Sequence, residues 1–138
     1  MALVNFFSEE ISFKLAHPRK TSNWIQRCVE EENRVIRSLN FVFCTDANLR
    51  HRNIQYLNHH TFTDIITFDQ SEDQLIEGEI YISIDRVKEN AINFNVLFED
   101  ELHRVIIHGV LHLVGYGDKT KSEKTLMRKK EDAYLSLR

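Results

Sequence analysis

The chain has 138 residues, of which 42% are hydrophobic and 28% charged, and this composition excludes the disordered and fibrous classes of protein. Its length suits one domain over residues 1–138, and its formal net charge of −3 gives no overall attraction towards nucleic acid. No basic residue precedes the first short apolar run, as an export signal would require, and no stretch approaches the roughly 20 apolar residues of a membrane span. We therefore expect a cytoplasmic protein without a membrane partner.

The first part of the chain shows strand and helix patterns in alternation. Residues 2–7 and 11–15 are rich in β-branched and aromatic residues, which predicts a strand or a hairpin. Apolar side chains at roughly helical spacing then predict a first long helix over 21–39. The run at 41–45 is typical of a buried strand, and Asp46 can cap a second helix directly after it.

The second part of the chain predicts two further strands and three helices. Apolar runs at 64–68 and 78–84 predict strands joined by an acidic loop at a sheet edge, and helices are predicted over 86–94 and 122–137. The segment 99–114 is apolar on nearly every face, which is typical of a central helix. Together the elements predict an α+β fold of one domain, in which a mixed four-stranded sheet packs with about five helices.

The two cysteines, Cys28 and Cys44, carry no functional signal. They lack the CxxC spacing of a zinc or redox pair, and in the expected compartment disulfides are rare. We expect both to be buried, reduced thiols.

A stretch of eleven residues near the C-terminal end combines three side chains that bind metals. His108 and His112 are four residues apart on the predicted central helix, so their side chains project from one face about one turn apart. Gly115 can end that helix, and Asp118 is the first residue beyond the turn with a side chain commonly used as a ligand. Two imidazoles and a carboxylate suit zinc and leave a fourth position for water, as in a catalytic site. The sequence therefore predicts one divalent metal ion, zinc by preference, at the end of the central helix, as in a zincin-like fold.

The residue after the first histidine limits the chemistry of such a site. In HExxH peptidases a glutamate at this position acts as general base, whereas this chain has Gly109. A zinc hydrolase of peptides or amides would need a carboxylate from elsewhere, such as Asp64 or Glu79, close to the metal.

Three sequence blocks resemble the bacterial YbeY family, the rRNA maturation endoribonucleases. They are HGVLHLVGYGD at 108–118, TDIITF at 63–68 and GEIYIS at 78–83, in the order and spacing that the family shows. The resemblance covers most of the chain and implies that His108 and His112 match the first two zinc ligands of the family. Asp118 occupies the position where most members have a third histidine, and Glu79 replaces the usual aspartate of its block.

The resemblance also implies an arginine shortly before the TDIITF block, which in the family is thought to help cleave or grip RNA. This chain has LNHHTF there, which leaves His59, His60 or the nearby Arg52 to take over the role. Together with Asp64, these residues are the candidate catalytic side chains.

The activity that the resemblance implies is hydrolysis of single-stranded RNA, in maturation of the 3′ end of 16S rRNA and in ribosome quality control. The expected partners are rRNA and the small ribosomal subunit, without an organic cofactor. Lys119, Lys121 and Lys124 could contact phosphates, although such a basic run is often a solvated helix face, and Tyr116 and Phe62 are candidates for stacking on bases. Two alternatives stay open: a non-catalytic ribosome-assembly factor with a structural zinc, and a zinc hydrolase of a substrate other than RNA.

Overall fold

The structure is a computed structural model that describes residues 3–57 and 64–138. The helices and strands of the described residues are, in chain order, β1 (Val4–Ser8), α1 (Pro18–Glu31), β2 (Val35–Cys44), α2 (Asp46–Leu57), β3 (Ile65–Asp69), β4 (Leu75–Ser83), α3 (Ile84–Asn93), α4 (Phe98–Val114) and α5 (Lys121–Leu135). This confirms the predicted α+β class.

The strands form one mixed sheet of four, in the order β1-β2-β4-β3. β1, β2 and β4 run parallel, whereas β3 pairs antiparallel with β4 at the edge of the sheet. Parallel strands need a long crossover between them, and α1 supplies the one from β1 to β2. The acidic segment between β3 and β4 connects the two strands at the edge of the sheet, as the sequence predicted.

α4 is the central helix of the fold. It packs with α1 on one face of the sheet, while α2 covers the opposite face, and α3 and α5 cover the outer side of α4. Successive residues of β4 point to opposite faces of the sheet. Gly78 and Ile80 approach α4, whereas Tyr81 packs with Leu49 of α2. Because α4 has neighbours on nearly every side, its sequence is apolar almost all round.

The first predicted helix was wrong in its second half. α1 ends at Glu31, the backbone of Asn33 is left-handed at φ 59°, and residues from Val35 onwards form β2. A β-bulge in β2 lies between Ile36 and Ser38, so Ile36 and Leu39 are both buried although they are three residues apart. That bulge reproduces helical spacing within a strand, which explains the error.

The predicted strand at 11–15 is also wrong. These residues form no regular element, and β1 pairs in parallel with β2 and does not form a hairpin. The segment nevertheless contributes to the core, because the ring of Phe13 packs edge-on against Phe43 and Phe98.

Both cysteines are buried and free, as predicted. Burial raises the pKa of each thiol to about 12, so neither Cys28 nor Cys44 is a nucleophile at neutral pH. Within the part of the chain that the structure describes, no helix has the length and apolar character needed to cross a membrane.

Candidate metal centre

The end of α4 sets the position of the candidate ligands. The backbone of Gly115 has φ 122°, a conformation that side chains disfavour, and its N–H donates to the carbonyl oxygens of Leu111 and His112. The N–H of Tyr116 also donates to the Leu111 carbonyl, at 3.0 Å. The chain therefore reverses immediately after α4 and returns Asp118 to the face that carries the two histidines.

Three donor atoms converge at this reversal. Nε2 of His108 and Nε2 of His112 lie 3.0 Å apart, and Oδ2 of Asp118 lies 3.3 Å from each of them. Tetrahedral zinc with bonds of roughly 2.0–2.1 Å separates its nitrogen and oxygen ligands by about 3.3 Å. The spacing and the chemistry of this donor set therefore fit a zinc ion.

His108 is oriented by a buried carboxylate of α5. Its Nδ1 lies 2.6 Å from Oε2 of Glu131, whose other oxygen accepts a hydrogen bond of 2.9 Å from Arg104. A carboxylate only accepts hydrogen bonds, so Nδ1 carries the proton and Nε2 is left to bind a metal. Burial lowers the pKa of His108, but the hydrogen bond to Glu131 and the negative charges of Glu131, Asp118 and Asp64 outweigh it and raise the pKa above its ordinary value.

His112 is oriented by the main chain. Its Nδ1 lies 2.9 Å from the carbonyl oxygen of Tyr116, within the reversal itself. The hydroxyl of Tyr116 donates at 2.7 Å to Glu32, at the end of α1, and this carboxylate also accepts from Tyr134 and Lys130. Burial raises the pKa of Glu32, but these three hydrogen bonds outweigh it and hold the pKa below its ordinary value.

The start of α5 holds the remaining part of the reversal. Thr120 and Glu123 form a capping box, in which the Thr120 hydroxyl accepts from the Glu123 N–H at 3.1 Å and the Glu123 carboxylate accepts from the Thr120 N–H at 2.9 Å. The same carboxylate accepts from the N–H of Lys119, the residue after Asp118. The backbone on both sides of the third donor is thus fixed by hydrogen bonds.

A cavity of about 400 Å³ opens beside the three donors. Asp64 lies in its wall and accepts a hydrogen bond of 3.4 Å from Asn90, and burial raises the pKa of this carboxyl although the charge of His108 lowers it. Positive side chains from α4 and α5 line the cavity too. The lining residues are Asp64, Asn90, Phe94, Glu101, Arg104, Val105, His108, Asp118, Lys124, Met127, Arg128 and Glu131.

The comparison with known proteins is decisive. A family sequence model described as endoribonuclease YbeY matches residues 5–137. The chain belongs to the YbeY endoribonuclease family. This membership confirms the resemblance carried by the three sequence blocks.

Individual YbeY proteins match along nearly their whole length. A protein of Amoebophilus asiaticus named endoribonuclease YbeY is 50% identical over 135 residues, which are 97% of this chain and 92% of the relative. A protein of the same name from Christiangramia forsetii is 47% identical over 134 residues, 97% of this chain and 93% of the relative. The fold is similar to the solution structure of a Thermotoga maritima protein, with a TM-score of 0.67, 28% identity, and coverage of 96% of this chain and 87% of the other.

The predicted RNA contacts of this YbeY chain divide into two groups. Lys124 lines the cavity, whereas Lys119 and Lys121 lie exposed at the start of α5 outside its lining. The sequence did not single out Arg104, Arg128 or Glu131 as parts of the site. Arg128 belongs to a basic run, which is a usable signal, but nothing in the sequence pairs Glu131 with His108.

The candidate catalytic residues have different outcomes. Asp64 lies in the cavity wall, as described above. Arg52 donates to both carboxylate oxygens of Glu9 at 2.8 Å and lies 4.3 Å from the ring centre of Tyr81, which places it on the sheet face opposite α4. The predictions for His59, His60 and Phe62 fall outside the described residues.

Packing explains the glycine that replaces the peptidase base. A Cβ on Gly109 would lie 2.8 Å from Cδ1 of Ile65 and 3.1 Å from two carbons of Ile80, so the position faces the sheet and not the metal donors. Glu79 cannot substitute for a base here, because its neighbours Gly78 and Ile80 face α4 and it therefore projects from the opposite face.

Proposed function

We propose that this chain is a metal-dependent endoribonuclease that cleaves single-stranded RNA in the cavity beside His108, His112 and Asp118. The observation that carries the proposal is the convergence of three metal-binding atoms next to a cavity that also contains Lys124 and Arg128. Positive side chains attract the phosphates of RNA, and the membership of the YbeY family supports RNA as the substrate. Following the family resemblance, we propose the 3′ end of 16S rRNA and ribosome quality control as its cellular task.

His108, His112 and Asp118 would hold one divalent ion, and zinc is the ion that two imidazoles and one carboxylate favour. When bound, such an ion polarises a phosphoryl oxygen and lowers the pKa of water towards neutrality. The chain itself fixes the donors: Glu131 and the Tyr116 carbonyl each hold the Nδ1 of one histidine and so present both Nε2 atoms to the same point. One carboxylate among the three donors leaves the bound ion less positive overall than a three-histidine site would.

The cavity offers separate places for the proton and for the phosphates. Asp64 is our candidate for accepting or donating a proton, because its buried carboxyl lies in the wall of the same cavity. Lys124 and Arg128 lie on α5 and would contact phosphates. Lys119 and Lys121 would add attraction at longer range.

Cleavage of a single-stranded oligoribonucleotide by purified protein tests the proposal. We expect His108→Ala, or removal of metal with a chelator, to slow cleavage by at least about 100-fold, since a catalytic metal supplies several kcal/mol of charge stabilisation. Zinc added after chelation should restore the rate of the unchanged protein but not that of His108→Ala. His51→Ala, at an exposed histidine on α2, is the matched control and should cleave normally. Undiminished cleavage after both treatments would identify a contaminating nuclease as the source.

A structural zinc in a non-catalytic assembly factor makes a different prediction about coordination. Such a site is closed by four protein ligands, whereas the only group of donors found among residues 3–57 and 64–138 has three members. X-ray absorption of the zinc-loaded protein should therefore show three protein ligands and a light oxygen ligand. The narrower role in 16S rRNA maturation is tested by comparing cleavage of the precursor 3′ end, within the small subunit, with cleavage of unrelated single strands.

A further inference from the structure

The end of α3 and its connection to α4 expose apolar side chains that the fold does not bury. Ile92, Phe94, Val96 and Leu97 are all exposed, with Ile92 at 80% and Phe94 at 60% of their full accessible surface. Phe94 differs from the other three because it also lines the cavity of the metal centre. Among the lining residues that the structure describes, Phe94 is the one phenylalanine, tyrosine or tryptophan.

Hydrogen bonds fix the backbone around Phe94. Phe94 caps the C-terminal end of α3, where its N–H donates to the Asn90 carbonyl at 2.9 Å. Asn90, one turn earlier, lines the same cavity and donates to Asp64. After the left-handed Asn95, the N–H of Val96 bonds back to Ala91 at 3.0 Å. The backbone that carries Phe94 is therefore held at the end of α3, and Asn90 links the same helix to Asp64 of the cavity.

Helix α5 contributes two exposed positive side chains to the same cavity. Lys124 and Arg128 lie one turn apart on this helix, and the Arg128 side chain is 62% exposed. Its nearest acidic group, Glu131, is 3.7 Å away and is already bonded by Arg104 and His108. Arg128 is thus available to a phosphate in the cavity that Phe94 also lines.

Tyr116, which the sequence predicted as a candidate for stacking on bases, is engaged in other interactions. Tyr116 uses its hydroxyl to bond Glu32, its carbonyl to orient His112, and its ring as a neighbour of the Lys130 ammonium at 5.5 Å. It also lies outside the lining of the cavity. Phe94 takes part in none of these interactions.

An aromatic ring and two cations in the lining of one cavity match the two parts of a nucleotide in a single strand. Aromatic side chains stack on unpaired bases, whereas Lys and Arg bind the phosphates that connect them. A cavity of about 400 Å³ falls within the size range of small-ligand sites. We propose that Phe94 stacks on one nucleobase of the bound RNA while Lys124 and Arg128 hold adjacent phosphates. This inference rests on the proposed function for the identity of the ligand.

Binding is measured separately from cleavage, with a fluorescein-labelled phosphorothioate oligoribonucleotide of about ten nucleotides and the zinc-loaded protein. A second set of probes carries one abasic position each, moved along the strand. We expect Phe94→Ala to weaken binding by about 5- to 150-fold, the range for loss of one base–aromatic stack. Phe94→Trp and Phe94→Tyr should bind like the unchanged protein, whereas Phe94→Leu should remain weak. Ile92→Ala, at a more exposed apolar residue near the end of α3, is the matched control and should bind normally.

The abasic probes identify the stack itself. In the unchanged protein one abasic position should weaken binding as strongly as Phe94→Ala does, and in Phe94→Ala that same position should have no further effect. Equal binding by Phe94→Ala and the unchanged protein would overturn the proposal. Full binding by Phe94→Leu, or weakening by Ile92→Ala, would also overturn it and would indicate a general apolar contact, as for a protein partner. If RNA binding shows the stack but metal-dependent cleavage is absent, the stacking inference stands and the nuclease function fails.

Discussion

The two histidines of the candidate metal site lie one turn apart on the same helix, yet the rest of the molecule holds them in different ways. His108 is held by a side chain, the buried Glu131 of α5, which Arg104 supports in turn. His112 is held by a backbone carbonyl in the reversal after α4, and a side-chain network around Glu32 anchors that reversal from a distance. Glu131 places a negative charge directly beside His108, whereas the support of His112 acts through the conformation of the backbone after α4. The candidate metal site therefore depends on two different kinds of interaction.

The largest effect should follow from loss of the direct charge. We expect Glu131→Gln to lower zinc affinity by about 10- to 100-fold, because partners of metal-binding histidines fix the tautomer and raise the basicity of the ring. Competition with a chromophoric chelator measures this change. Asp132→Asn is the control, since Asp132 also bonds Arg104 but does not contact His108. An equal fall in both variants would show that Arg104, and not the carboxylate on His108, determines the affinity.

An intermediate effect should appear in the pH dependence of the anchoring network. The pKa of Glu32 is lower in the folded chain than its ordinary value of 4.5, so as pH falls the unfolded chain binds this proton first. The stabilising contribution is complete above about pH 4.5 and is lost as pH falls through the folded pKa. In metal-free protein, Glu32→Gln should therefore have a lower free energy of unfolding than the unchanged chain at neutral pH. Below about pH 4.5 the difference in free energy of unfolding between the two should narrow, by at most about 1.4 kcal/mol per pH unit.

Urea unfolding at a series of pH values measures this difference. Glu31→Gln, at the exposed neighbouring glutamate, is the matched control and should follow the unchanged protein throughout. A gap between Glu32→Gln and the unchanged chain that stays constant down to pH 3 would contradict a titrating role for Glu32.

The smallest effect should come from removing one hydroxyl of the network. Tyr116→Phe keeps the carbonyl that orients His112 and removes only the hydrogen bond to Glu32. We expect the free energy of unfolding to fall by about 1 kcal/mol and zinc affinity to change by less than about tenfold. Tyr134→Phe removes a hydroxyl from the same carboxylate outside the reversal, and should leave zinc affinity unchanged. A loss of affinity in Tyr116→Phe as great as in Glu131→Gln would abolish the distinction between the two supports.

The donors were predictable from the sequence because all three are local. His108 and His112 share a helix face by their spacing, and a glycine after the helix is sufficient to return Asp118 to them. The groups that hold the donors could not be predicted in this way. Glu131 is 23 residues from His108, Glu32 is 84 residues from Tyr116, and only the packing of α5 and α1 against α4 brings them together.

The fold was predictable to a similar extent. The α+β class and most elements follow from local patterns, but β2 does not, because its bulge imitates helical spacing at Ile36 and Leu39. Phe94 was not singled out either, since an apolar residue at the end of an amphipathic helix normally belongs to the core.

The contact between Gly109 and the sheet restricts which new activities this scaffold can reach by single substitutions. Any larger residue at 109 would require the end of the Ile65 side chain to shift and the Ile80 side chain to give by a few tenths of an ångström. A glutamate at this position would also begin its side chain towards the sheet, because the Cβ direction of residue 109 points at Ile65 and Ile80. The position that supplies the base in HExxH peptidases is thus turned away from the three donor atoms in this fold.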